Sequence, residues 1–172
     1  TRRRQLDSQS WRHLTGTGYL DADGCVKCPV GSGLVKGETE SCKVCAKGTY
    51  MDNDNHRQSC KPCAKGTAQL EENQDRCIDC PIAQYAARTG QSSCVKCGIG
   101  KAGRTAGTKA ESETEACIEC TYGKYQDISG EATCKDCEEG RFNNDTSLSY
   151  CNDCIPGKFQ NTSGSLECNQ CP

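Results

Sequence analysis

Large apolar side chains are scarce in this chain. Leu, Ile, Val and Phe together supply 20 of its 172 residues. Burial stabilises by about 25 cal/mol per Å² of apolar surface, whereas ordering the chain costs about 1–2 kcal/mol per residue. An ordinary hydrophobic core is therefore excluded. A basic excess is missing as well: 21 Lys and Arg stand against 23 Asp and Glu, for a net charge of −2. That balance excludes the basic face a nucleic-acid partner requires. No apolar run approaches the roughly 20 residues of a membrane span, and no apolar signal segment is present. Histidine is limited to His13 and His56, neither in a nucleophile motif. No residue can be nominated for catalysis, so the chain reads as not an enzyme and as needing no cofactor.

Cysteine is what the chain has. All 18 fall in nine Cys-x-x-Cys pairs: Cys25/Cys28, Cys42/Cys45, Cys60/Cys63, Cys77/Cys80, Cys94/Cys97, Cys117/Cys120, Cys134/Cys137, Cys151/Cys154 and Cys168/Cys171. The step between pairs is 17 residues in six of eight cases, 18 once and 23 once. Disorder does not explain regular spacing. A small polar chain this rich in cysteine is a disulfide scaffold, and a fixed period is the mark of a repeat architecture.

The loops between pairs repeat too. A glycine stands three residues after the second cysteine in seven of eight loops, and Ala83 takes its place once. Two residues later comes Tyr50, Tyr85, Tyr125, Phe142 or Phe159 in five loops, and a mid-loop Gly90, Gly130 or Gly164 follows in three. The glycine permits a positive φ for a tight turn. Lys-Tyr-Gln or Lys-Phe-Gln then forms a short strand, the polar stretch turns the chain back, and a second strand returns to the next pair. The aromatic is expected to lie over the disulfide as a miniature core. The resulting fold class is small and disulfide-rich, mostly irregular with short β-hairpins, forming an elongated, solenoid-like rod in which each unit touches only its neighbours.

Four segments follow. Residues 1–24 form an N-terminal arm with Trp11 and the basic run Arg2, Arg3, Arg4; residues 25–97 hold four loops; residues 98–116 form a longer irregular loop; residues 117–172 hold three loops and a terminal Cys-x-x-Cys. The long loop lacks an aromatic and reads as a mobile insertion, of a kind surface loops tolerate. The stop at Cys171-Pro172 is expected to reflect a longer parent chain.

Zinc is the main rival to disulfides, because paired Cys-x-x-Cys can hold one ion in four thiolates. Nine pairs would leave one stranded, and the even step lacks two-by-two grouping. Catalytic redox use needs one such motif at a helix N-terminus, not nine in glycine-rich loops. The stretch MDNDNH at 51–56 lacks the glycine and later Glu of a calcium loop and reads as a polar turn. Two N-glycosylation sequons, Asn144-Asp145-Thr146 and Asn161-Thr162-Ser163, begin seven residues after Cys137 and Cys154. N-linked glycans on exposed loop tips are expected at Asn144 and Asn161.

The unit C-x-x-G-x-Tyr/Phe, with 13 residues to the next cysteine pair, resembles the ephrin-receptor-like cysteine-rich repeat found in tandem in large cell-surface proteins. It is also similar to the first loop of tumour necrosis factor receptor cysteine-rich domains. The resemblance covers residues 25–172. Units from Cys80, Cys120, Cys137 and Cys154 match well, while those from Cys28, Cys63 and Cys97 lack the aromatic. Spacing alone does not choose a connectivity. The resemblance implies that the second cysteine of each pair joins the first of the next: Cys28–Cys42, Cys45–Cys60, Cys63–Cys77, Cys80–Cys94, Cys97–Cys117, Cys120–Cys134, Cys137–Cys151 and Cys154–Cys168. The competing pattern joins first to first and second to second. In the favoured ladder Cys25 and Cys171 are left over, to be completed by further repeats or by a head-to-tail copy. The resemblance also implies an extracellular or cell-surface setting. The expected role is a structural, interaction-bearing segment of a surface or filamentous assembly, with copies of itself or other repeats as protein partners. A receptor ectodomain binding a protein ligand is the alternative.

Overall fold

The computed structural model describes residues 19–20, 26–35, 41–52, 58–104 and 108–172. Trp11, Arg2, Arg3, Arg4, His13, Cys25 and His56 lie outside the described residues. The described chain forms nine two-stranded sheets and one single-turn helix, Glu113–Ala116. The first hairpin pairs Tyr19–Leu20 with Val26–Lys27, so the end of the arm is already a strand.

Eight disulfides close eight consecutive repeats: Cys28–Cys42, Cys45–Cys60, Cys63–Cys77, Cys80–Cys94, Cys97–Cys117, Cys120–Cys134, Cys137–Cys151 and Cys154–Cys168. They are numbered 1 to 8 below. Repeat 6 shows how each is built. Lys124 N–H donates to Thr121 C=O at 3.1 Å, closing a four-residue turn. Gly123, third in that turn, has φ +73°, the demand of a type II turn. Lys124–Tyr125 then pairs with Lys135–Asp136 in the register Lys124↔Asp136 and Tyr125↔Lys135. Cys137 N–H donates back to Gly123 C=O at 2.9 Å and completes the hairpin. The result is a disulfide-rich tandem repeat of short hairpins with almost no helix.

The chain divides into two compact units. One comprises Thr1–Ala64, Ala68–Ile78 and Thr89–Ser93; the other comprises Lys65–Thr67, Asp79–Arg88 and Cys94–Pro172. Within each unit the same three backbone hydrogen bonds join successive repeats. In the first unit Gly48 donates to Gln69 (2.8 Å), Met51 to Gln74 (3.0 Å) and Asn73 to Cys45 (2.9 Å). In the second, Gly123 donates to Asn143 (2.8 Å), Gln126 to Leu148 (3.1 Å) and Ser147 to Cys120 (2.8 Å).

Contact also reaches one repeat further, contrary to the expectation of neighbour-only packing. In the second unit a Cβ on Gly123 of repeat 6 would come inside 3.0 Å of the backbone of Gly164 in repeat 8. In the first, a Cβ on Gly31 of repeat 1 would sit 2.5 Å from the carbonyl oxygen of Asn73 in repeat 3. The turn glycine therefore serves two purposes: it supplies a positive φ and lets the next-but-one repeat approach.

The buried centre differs from the expected aromatic core. Cys45, Cys63, Cys80, Cys97, Cys120 and Cys137 are fully buried, whereas Tyr50, Tyr85, Tyr125 and Phe142 are only partly so and Phe159 is exposed. The position after the aromatic goes inside instead: Met51, Ala86, Gln126 and Asn143 are all buried. A buried amide must satisfy both of its ends. Gln126 does so by donating from Nε2 to Thr133 C=O (2.6 Å) and accepting at Oε1 from Ile128 N–H (3.0 Å). Gln69 and Gln160 hold their loops in the same way, through Arg76 C=O and Glu71 N–H and through Glu167 C=O and Thr162 N–H. The substitution Gln126→Leu would leave the Thr133 carbonyl and Ile128 N–H without that amide. A loss of about 2 kcal/mol is expected from desolvated, unmatched backbone groups, measured by denaturant unfolding.

Where it is described, the long loop of repeat 5 carries a capped helical turn and a buried cluster. Ser112 caps the helix through Glu115 N–H, and the Glu115 carboxylate accepts from Glu111 N–H. The S-x-x-E pattern is legible in Ser112-Glu113-Thr114-Glu115, with Glu115 bonding the residue before the cap in place of the cap's own N–H. Ala116 and Ala110 then pack with Ala83, Cys97, Cys117 and Tyr85 in one buried cluster. Ala83 adopts φ +62° in the position that is glycine in the other repeats. A non-glycine residue in that conformation is strained, but here the methyl group is fully buried in the cluster. Gly103 makes room for it, since a Cβ there would lie 2.9 Å from the Ala83 Cβ. The missing glycine and the inserted loop are thus one feature of the fold.

Candidate functional site

Short strands and buried disulfides leave most strand side chains facing outward. In repeats 2 and 6 the outer edge of the hairpin carries the same three-residue arrangement. Lys61 Nζ lies 2.8 Å from Asp52 Oδ1 and 5.9 Å from the centre of the Tyr50 ring. Lys135 Nζ lies 2.5 Å from Asp127 Oδ1 and 5.8 Å from the Tyr125 ring. One ammonium thus serves both an aromatic face and the carboxylate two residues further along. Cross-strand pairs Lys124–Asp136 and Arg141–Asp153 add charge to neighbouring hairpins.

These pairs are exposed, so they shape the surface more than they hold the fold. The hydrogen bond from Lys135 holds the Asp127 carboxyl below its usual range, and that from Lys61 does the same for Asp52. Lys135 is raised in turn by Asp127. A lowered carboxyl contributes stability above its unfolded pKa and loses it as pH falls through the lowered folded value. A raised lysine contributes below its unfolded pKa and loses it as pH rises through the raised folded value. A carboxyl-detected NMR titration is expected to show Asp127 protonating below an ordinary aspartate, with the depression abolished in Lys135→Ala.

Exposed apolar residues recur at fixed repeat positions in the second unit. Ile82, Ile99 and Tyr122 stand two residues after the cysteine that opens repeats 4, 5 and 6, and are 38%, 59% and 56% exposed. Val95 and Ile118, each the first residue inside a Cys-x-x-Cys, are exposed as well. Beside them the inserted helix forms a cleft lined by Lys101, Arg104, Glu113, Thr114, Ile118 and Glu119. Lys101 pairs with Glu113 at 2.7 Å, and Arg104 Nε donates to Thr114 C=O at 2.9 Å. Lys101 and Arg104 are thus committed to Glu113 and to the backbone. The members of these apolar rows occupy ordinary loop positions in the sequence, and their shared repeat offset is the signal that identifies them.

The sequence-nominated residues fall in two groups. The sixteen cysteines Cys28 to Cys168 are brought together in the eight bridges, and Cys171 is the free cysteine among the described residues, exposed in the last hairpin. Its N–H donates to Gly157 C=O at 3.0 Å, as the second cysteine of each pair from Cys45 onward does to the turn residue before it. Asn144 and Asn161 are both exposed, one repeat apart at the same offset.

No curated protein matches the chain. A family model described as tyrosine-protein kinase ephrin type A/B receptor-like matches residues 66–115 and 107–147. Those residues take in repeats 4, 5 and 6 whole, together with most of repeats 3 and 7. With the ladder of disulfides, the match points to an extracellular, receptor-like interaction module. Over residues 66–147 the chain carries tandem ephrin-receptor-like cysteine-rich repeats.

Proposed function

We propose that this chain is a non-catalytic structural and protein-binding segment of a cell-surface or filamentous assembly. It holds side chains at fixed repeat offsets for contact with other repeats or with copies of itself. The observation that carries the reading is the recurrence of Ile82, Ile99 and Tyr122 at one offset in three successive repeats, all exposed. Tyrosine is among the residues that dominate the energetics of protein contacts, burial of large aliphatic side chains adds to them, and a repeat scaffold multiplies one contact along its length. Disulfides persist in oxidising compartments, which fits the extracellular setting.

Chemical cross-linking of the oxidised chain, with the sites read by mass spectrometry, tests this. Cross-links between copies spread over repeats 4 to 6, and lost in Ile82→Asp/Ile99→Asp/Tyr122→Asp, are the expected result. A strictly monomeric chain whose surface binds a heterologous protein only through residues 98–116 would favour the receptor-ectodomain reading instead.

A further inference from the structure

Repeats 7 and 8 depart together from the surface arrangement of repeats 2 and 6. Where repeat 6 has Tyr125, Asp127 and Lys135, repeat 7 has Phe142, Asn144 and Asn152, and repeat 8 has Phe159, Asn161 and Asn169. The cross-strand register is the same: Tyr125↔Lys135, Phe142↔Asn152 and Phe159↔Asn169. Both members of the ion pair are therefore exchanged for asparagine in both repeats, and the ring loses the ammonium that covers it. Phe159 is left 39% exposed. The asparagine that replaces the aspartate is followed two residues later by a hydroxyl, Thr146 or Ser163, completing a sequon each time. Asn144 and Asn161 are exposed, and neither Nδ2 has a partner among the described residues; Asn161 is contacted only at Oδ1, by Thr162 Oγ1 at 3.4 Å.

We infer that Asn144 and Asn161 each carry an N-linked glycan whose first sugar covers the Phe142 or Phe159 ring, in the place held by lysine in repeats 2 and 6. The geometry of those two repeats supports this. A single group bonded to the side chain at the aspartate position reaches the ring two residues back, as Lys61 and Lys135 do at 5.9 and 5.8 Å from the ring centres. On extended chain, residues two apart leave on the same side. A sugar attached at that position falls over the ring, and its apolar C–H face suits a phenyl face that a cation no longer occupies. The substrate is a lipid-pyrophosphate-linked oligosaccharide that begins with N-acetylglucosamine. An N-glycosidic bond forms between the asparagine Nδ2 and the sugar C1, the C1–O bond to the pyrophosphate breaks, Nδ2 gives up one proton, and the lipid pyrophosphate departs with the electron pair.

The inference rests on the extracellular reading, and one experiment separates the two. The chain is secreted from eukaryotic cells through a generic leader, and the intact mass is recorded before and after amidase deglycosylation. Two glycans are expected, one lost in Asn144→Gln, the other in Asn161→Gln, both in the double variant. The glycosylated chain is further expected to melt higher than the deglycosylated one, with the difference lost in Phe142→Ala/Phe159→Ala although both glycans remain. A secreted, fully bridged chain of unmodified mass overturns the inference and leaves the extracellular reading standing. Glycans whose removal shifts melting equally with and without the two rings overturn the stacking. A chain that stays reduced and is not exported overturns both.

Discussion

Reduction of the eight bridges is expected to unfold this chain completely under conditions in which the oxidised form is fully folded. Each bridge closes a loop of 14 or 15 residues, or 20 in repeat 5. In the chain-entropy model a loop of about 15 residues is worth about 3 kcal/mol. A small domain has a net stability of about 5–15 kcal/mol, so the loss of a few bridges exceeds what packing can offset. The described core consists largely of the cysteines themselves with small residues such as Ala83, Ala86 and Ala116. The double variant Cys120→Ala/Cys134→Ala, which opens repeat 6 alone, is expected to cost about 3 kcal/mol in denaturant unfolding. Retention of the far-ultraviolet dichroism and amide protection in strong reductant would contradict this.

The second large effect belongs to the turn glycines. Gly123→Val is expected to destabilise by about 3 kcal/mol or more, combining a strained positive φ with overpacking against an ordered backbone. Gly123 has φ +73°, and the backbone of Gly164 occupies the space a Cβ would need. The effect should travel: hydrogen exchange in the variant should quicken in repeat 8 as well as in repeat 6. Gly140 makes the control. It has φ +80°, but nothing stands within 4 Å of its would-be Cβ. Gly140→Val should therefore show only the strain of the turn. Equal losses at the two positions would mean that the contact with the next-but-one repeat contributes nothing.

Much of the hairpin was legible because covalent chemistry and turn chemistry are local. The 17-residue step locates the repeats, and the glycine three residues after each second cysteine marks a turn that φ requires. The family resemblance supplied the bridge pattern. Burial was harder to read. Gln126 and Asn143 are polar and follow a strand aromatic, so alternation assigns the aromatic inward and the amide outward. The structure reverses them: the Gln126 amide is matched inside its own loop by Thr133 C=O and Ile128 N–H, and the Asn143 amide by Lys124 C=O of the preceding repeat and Asp145 N–H. The backbone N–H groups of the same two residues reach Leu148 and Ser165 C=O of the next repeat, and these contacts some 20 residues away have no local trace. The mid-loop turn was only half visible for a related reason. Gly90, Gly130 and Gly164 announce it, but Asn73, Lys109 and Ser147 take the same positive φ elsewhere, held there by bonds to Cys45, Cys80 and Cys120 of the preceding repeat. On the surface, the paired change of Asp127 and Lys135 to asparagines in repeats 7 and 8 was present in the sequence. It acquires meaning only with the cross-strand register.

Non-reducing proteolysis followed by mass spectrometry tests the account most directly, because both the fold and the surface built on it depend on which cysteines are joined. Cleavage of the oxidised chain at its lysines and arginines, with fragmentation of the linked peptides to separate cysteines that share one, should show the second cysteine of each pair joined to the first of the next, from Cys28–Cys42 through Cys154–Cys168. Peptides joining Cys25 to Cys42 and Cys28 to Cys45, the first-to-first and second-to-second pattern, would contradict it.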